Sequence, residues 1–183
     1  IKKLIAFSSI EHMGMIMTGI GLGTPVALFW VLFYTLGHAL IKSLLFFSAG
    51  ILHHQFGSNK YKDMKNVLKL QPLASAGIIV GGTAIIGTPM FPLFFSKLYL
   101  LIRLGEFSTY LLFLVLLLLL LAAASFAVFL VHTCFQKSED ESIAPYIVPW
   151  TMKTSIITLI ALILILGVFF PPGLSGMLSS IVT

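Results

Sequence analysis

The sequence predicts an all-α polytopic membrane protein, and three observations point there. The chain has 183 residues, 58% of them hydrophobic and only 9% charged, with a mean hydropathy of +1.07; a soluble domain carries about 25% charged residues. Apolar stretches long enough to cross a bilayer, about 20 residues each, recur between short polar connections. Within one of those stretches glycine and proline cluster at residues 87–92, the signature of a helix interrupted at membrane depth. The single cysteine, Cys134, excludes an intramolecular disulfide and leaves the redox compartment open. The net charge of +5 is no nucleic-acid footprint, because the basic residues gather where membrane edges are expected.

Five spanning segments are expected, forming one transmembrane domain over residues 1–183. The first covers about 3–20 and is the least apolar, containing Ser8, Ser9, Glu11, His12 and Thr18. Gly21, Gly23 and Thr24-Pro25 end it and open the next. The second covers 26–54. A polar connection follows, with Lys60, Lys62, Lys65 and Lys69 against one acid, Asp63. The third, 72–103, is glycine-rich in its first half and is then broken at 87–92, where Gly87, Pro89 and Pro92 interrupt the hydrogen-bond ladder. The fourth, 107–136, has no Lys, Arg, Asp or Glu and reads as a lipid-facing or packing helix, with His132 as an interfacial residue near its end. Ser138-Glu139-Asp140-Glu141 reads as a solvated acidic turn. Tyr146, Pro149 and Trp150 suit an interfacial belt entering the fifth segment, 151–170, which Pro171-Pro172-Gly173 ends.

Lys42 is the most informative single residue. It is the only Lys, Arg, Asp or Glu between Glu11 and Lys60, in the middle of the second segment. A charge at the bilayer centre costs about 2.5–3.5 kcal/mol on insertion scales, so such a residue usually faces a protein interior or a hydrated path. The plainer reading is a lysine snorkelling to an interface, but its stem reaches only about a turn. His38 lies four residues before it and Tyr34 four before that, so the three share one helical face. Lys97 lies just past the break; its plainer reading is a lysine snorkelling beside Arg103. His53 and His54 read as a hydrated helix end, and no metal-ligand spacing, phosphate loop or nucleophile–base arrangement is present.

Charge counting gives an orientation. With five crossings, the start, the 57–71 connection and the 136–150 connection share a side holding Lys2, Lys3, Lys60, Lys62, Lys65, Lys69, Lys137 and Lys153; the other side holds Arg103. The excess makes the first side cytoplasmic.

Three stretches then resemble a known family. Residues 1–14, IKKLIAFSSIEHMG, resemble a segment of the antiporter-like proton-translocating subunits of respiratory complex I, Mrp-type cation/proton antiporters and energy-converting membrane-bound hydrogenases. Residues 37–50, GHALIKSLLFFSAG, resemble their helix with a His-x-x-x-Lys pattern, and 81–97 resemble their second broken helix, ending in its lysine. The motifs cover about 1–105; the rest matches in hydrophobicity and helix count. The SSIEHMG form is most similar to the large subunit of formate-hydrogenlyase and related group 4 hydrogenases. One departure is Tyr34, where complex I relatives are expected to carry a second histidine.

The resemblance implies two inverted five-helix repeats, of which this chain holds most of the second plus one further helix. The chain opens on Ile1 without an initiator methionine and is expected to be part of a longer one. It implies proton translocation, in a bacterial or archaeal cell membrane, by a subunit with no cofactor of its own. Its partners would be other membrane subunits and a peripheral redox arm bearing NiFe, Fe–S or flavin centres, with lipid around it and no nucleic acid. A solvated lysine, with a pKa of about 10.4, holds its proton too tightly for a relay; removal from water loosens that hold. The expected relay is Lys42 with His38, then Lys97, with Lys2 or Lys3 at the cytoplasmic entry and the freed carbonyls of the break holding water between the lysines. Glu11, His12 and Tyr34 are further relay candidates, although Glu11 and His12 also read as a pair facing a neighbouring subunit. The alternatives are a Na⁺ or K⁺/proton antiporter subunit and a non-translocating scaffold. A Na⁺ site would favour acidic ligands, and Glu11 is the only acid expected within the spans.

Overall fold

The computed structural model describes residues 1–135 and 144–169, and these form seven α-helices: α1 (Lys2–Gly21), α2 (Pro25–Phe56), α3 (Val67–Leu70), α4 (Pro72–Ile86), α5 (Pro92–Phe107), α6 (Thr109–Phe135) and α7 (Trp150–Val168). The acidic turn at 138–141, Lys137 and the proline stop at 171–173 lie outside the described residues. Among the described residues there is no strand. Four helices, α1, α2, α6 and α7, are each long and apolar enough to cross a membrane, whereas α4 is apolar but only 15 residues long.

Local chemistry sets the boundaries. Thr24 caps α2, its hydroxyl accepting from the Ala27 N–H at 3.2 Å, and Pro25 fills the first helical position, where no N–H is needed. α2 then runs 32 residues, about 48 Å, until Gly57 takes a left-handed φ of 62° and its N–H returns to the His53 carbonyl at 2.9 Å. Gly87 ends α4 with φ 91°, and Pro92 opens α5. The two half-helices thus divide what reads in sequence as one segment ending near Arg103. α5 continues four residues further, and it is Ser108, in extended conformation, that separates it from α6.

α2 is the hub, packing against α1, α4, α5 and α7. Small residues let α4 approach on two sides: a side chain at Gly81 would meet Leu45 of α2 at 2.8 Å, and one at Gly82 would overlap Leu130 of α6. α6 turns much of its surface outward, with Leu117, Leu118, Leu120 and Leu121 all exposed, the surface a helix facing lipid requires. One end of the bundle is tied by side-chain amides. Gln71 Nε2 donates to Gln55 Oε1 (2.7 Å) and to the Tyr146 carbonyl (2.8 Å), and Gln55 Nε2 donates to the Ala144 carbonyl (3.0 Å). The Ile1 nitrogen reaches the Asn59 carbonyl at 2.6 Å. The start of α1, the 57–71 connection and residues 144–149 therefore share one end of the molecule.

Candidate functional site

α1 and α2 run antiparallel, and each presents a stripe with helical spacing: Ile5, Ser8 and His12 on α1 against Tyr34, His38 and Lys42 on α2. Where the stripes meet, polar groups converge in an otherwise apolar interior. Lys42 is 7% exposed. Its ammonium donates to the Ser8 hydroxyl at 2.6 Å and to the Ile5 carbonyl, and Ser8 itself donates to that carbonyl at 2.9 Å. Lys42 therefore has neutral acceptors and does not snorkel.

One turn along, His12 and Tyr34, both 0% exposed, are joined by a 2.5 Å hydrogen bond between His12 Nδ1 and Tyr34 Oη. Either the phenol donates to an unprotonated Nδ1 or a protonated Nδ1 donates to the phenol oxygen, so this bond can run in both directions. The His12 and His38 rings lie 4.5 Å apart, centroid to centroid, tilted by 47°. His12 Nε2 and His38 Nδ1 are buried and have no hydrogen-bond partner among the described residues.

Lys97 completes the group from α5. It is 7% exposed, and its ammonium lies 3.2 Å from Glu11 Oε1, 3.1 Å from the Ile86 carbonyl and 3.3 Å from the Ile85 carbonyl. Those carbonyls are at the C-terminal end of α4, where the helix leaves acceptors unpaired and carries partial negative charge. The break therefore lets Lys97 reach back and cap the preceding half-helix. Glu11 also borders a groove of about 470 Å³ between α1 and α6, lined by Leu4, Phe7, Ser8, Ala122, Ser125 and Phe126.

The structure thus brings together Lys42, His38, His12 and Tyr34, and separately joins Glu11 to Lys97 beside the break formed by Gly87, Pro89 and Pro92. Lys2 and Lys3 stand in the first turn of α1, outside the hydrogen-bonded cluster, and Lys3 is exposed. The reading of Glu11 and His12 as a pair turned toward a neighbouring subunit is corrected: the Ser8–His12 face of α1 packs on α2, and Glu11 reaches Lys97. The carbonyls freed by the break accept from Lys97 itself. At the tied end, His54 stacks on the Tyr146 ring at 5.4 Å and His53 Nδ1 lies 3.4 Å from the Ser58 carbonyl. Among the described residues no cluster of three or more His, Cys, Asp or Glu side chains is placed to hold a metal.

Sequence reasoning missed the Glu11–Lys97 pair. Its members are 86 residues apart, and no local spacing links them. The available signal was that the one acid within the spans had two membrane-depth lysines to choose from.

Comparison with known proteins places this arrangement in context. A family model described as NADH:quinone oxidoreductase/Mrp antiporter, TM, matches residues 1–123. The NADH-quinone oxidoreductase subunit N of Desulforudis audaxviator is 34% identical over 100 residues, 55% of this chain and 20% of that protein. The putative antiporter subunit mnhD2 of Staphylococcus saprophyticus is 30% identical over 173 residues, 93% of this chain and 34% of that protein. A chain of respiratory complex I from Thermus thermophilus with bound NADH superposes over 100% of this chain and 39% of its own length, with a TM-score of 0.83 at 21% identity, showing a common fold. The chain spans between a fifth and about two fifths of the length of these relatives.

Proposed function

Because the chain belongs to the NADH:quinone oxidoreductase/Mrp antiporter transmembrane family, we propose that it carries protons across the membrane as one subunit of a redox-driven complex. The observation that carries this reading is the pair of buried lysines bracketing the His12–Tyr34–His38 cluster, Lys42 within a helix of membrane length and Lys97 on the second half of the broken one. Two such cations are costly in a bilayer and are kept where charge has a task. In this reading α4 and α5 together make one crossing, giving five with α1, α2, α6 and α7. They form most of the second of two inverted repeats, and the Gln55–Gln71 end faces the cytoplasm of a bacterial or archaeal cell.

The residues present divide the work as follows. Lys42 receives a proton from the cytoplasmic side, with its ammonium held by Ser8 and the Ile5 carbonyl. The histidines pass it on, His38 to His12, through ring nitrogens that can each accept or donate a proton; water bridges fill the intervals. Tyr34 orients His12 and can exchange a proton with it. Lys97, balanced between Glu11 and the carbonyls of α4, delivers to the far side. Redox centres lie in partner subunits.

The antiporter relative raises a second reading, exchange of Na⁺ or K⁺ for protons. A hard cation needs several oxygen ligands, usually including a free carboxylate. Glu11, the one acid among the described residues away from a helix end or loop, is already taken by Lys97, which favours protons. The test is the subunit composition of the purified complex together with proton uptake measured with and without Na⁺. A hydrogenase or quinone-reducing arm and Na⁺-independent uptake are expected; strict dependence on Na⁺ or K⁺, with no redox partner, would replace this reading by the second.

A further inference from the structure

α7 lies wholly beyond the stretch that the family model matches, yet it touches the broken helix at its most constrained point. Ile156, Ile163 and Gly167 share one buried face of α7. At Gly167 the backbone of α7 comes so close to the turn between α4 and α5 that a methyl group there would overlap the Met90 carbonyl oxygen. It would also lie 2.8 Å from the Met90 carbonyl carbon and 2.9 Å from Phe91 Cα. Met90 has a φ of 78°, a conformation that non-glycine residues keep only where their surroundings enforce it. Gly37 of α2 also lies against this turn, at Pro92, where a Cβ would meet the ring at 3.2 Å. Two glycines, one from α2 and one from α7, therefore approach the turn closely.

This close approach bears on Lys97. The ammonium of Lys97 spans the break, from α5 back to the Ile85 and Ile86 carbonyls at 3.3 and 3.1 Å, near the long end of the hydrogen-bond range. A shift of a few tenths of an ångström at Met90–Pro92 moves the start of α5 relative to the end of α4 and breaks one or both of these contacts. We propose that Gly167 is a positioning residue for proton transfer: by seating α7 against Met90 and Phe91, it fixes the turn and so holds Lys97 between Glu11 and the α4 carbonyls. The proposal rests on the reading of Lys97 as a relay group.

The test compares four variants of the full-length subunit in the assembled complex: Gly167→Ala, Gly167→Ala with Met90→Gly, Ile163→Ala and Lys97→Ala. The measurements are the amount of complex and its proton uptake in proteoliposomes. Misplacement of a transfer group by about 1 Å costs up to roughly 100-fold in rate, so Gly167→Ala should lower uptake about 10- to 100-fold. Glycine at position 90 accepts positive φ freely and lets the carbonyl yield, so the double variant should recover most of the loss. Ile163→Ala removes buried packing one turn away from Gly167 and should transport better than Gly167→Ala. Normal uptake by Gly167→Ala would overturn the proposal. So would a loss that Met90→Gly does not restore, or less assembled complex for Gly167→Ala than for Ile163→Ala, since either makes Gly167 a packing residue. Normal uptake by Lys97→Ala would instead overturn the relay reading itself.

Discussion

Lys97 and Glu11, 86 residues apart in sequence, form an ion pair with the lysine nitrogen 3.2 Å from the carboxylate oxygen, and this pair joins the second half of the broken helix to α1. Lys42 is buried to the same degree but, among the described residues, has only a hydroxyl and a carbonyl as acceptors. The two lysines should therefore respond differently to removal. Replacing one member of a buried pair leaves the other charge uncompensated, at a cost of about 3 kcal/mol. Glu11→Gln and Lys97→Met should each destabilise the complex by about that much, and the double substitution by less than their sum. Lys42→Met should cost little, since its desolvation penalty leaves with it. Thermal unfolding of the purified complexes decides; strictly additive losses at Glu11 and Lys97 would show that the pair does not couple.

Tyr34→Phe tests the middle of the path. It deletes the oxygen that bonds His12 Nδ1 and keeps the ring that fills the α1–α2 seam. The net worth of one such bond, about 1 kcal/mol, corresponds to a fall in proton uptake of roughly fivefold to tenfold, with assembly unchanged. Uptake at the full rate would take Tyr34 and its orientation of His12 out of the path.

Gly87→Ala tests the break from its other end. Gly87 has φ 91°, and a Cβ there would sit 3.0 Å from Lys97 Cδ. The left-handed conformation alone costs an alanine about 1–2 kcal/mol, and the new methyl displaces the lysine stem. The variant should be less stable than the parent complex by at least that amount and should transport more slowly; a variant as stable as the parent would contradict the geometry of the turn.

Orientation is tested at Lys60, which is exposed in the connection after α2. Ser58 is a poorer choice because its hydroxyl bonds Asp63 at 2.5 Å. Lys60→Cys should be labelled by an impermeant thiol reagent in inverted vesicles and not in intact cells. Labelling from outside would reverse the assigned direction of transport.

Much of this was legible in the sequence, for identifiable reasons. Thr24-Pro25, Gly57, Gly87 and Pro92 are residues whose backbone chemistry dictates a cap or a stop, and the helices begin or end at each. Lys42 and His38 share a face through their four-residue spacing, which needs no tertiary information. What the sequence could not give is which face meets which. His12 lies in a polar-looking stretch of α1 that reads equally well as an outward surface, and only the packing of α1 on α2 buries it beside Tyr34 and His38. The close approach of Gly37 and Gly167 to the broken turn is likewise invisible, because a glycine in a membrane helix does not say what approaches it. α5 runs past the expected end at Arg103 for a local reason: Gly105 and Glu106 read as a polar connection between two apolar runs, and only Ser108 in extended conformation marks the boundary.

The most direct test of proton transfer through the lysines is proton uptake by proteoliposomes holding the intact complex with Lys42→Arg or Lys97→Arg, normalised to the amount assembled. Arginine keeps the positive charge but, with a pKa above about 12, does not release its proton. Both variants should assemble and lose most of their uptake while a purely structural cation at either position would be satisfied. If both arginine variants transport protons at the parent rate, Lys42 and Lys97 act as fixed charges and do not carry the proton.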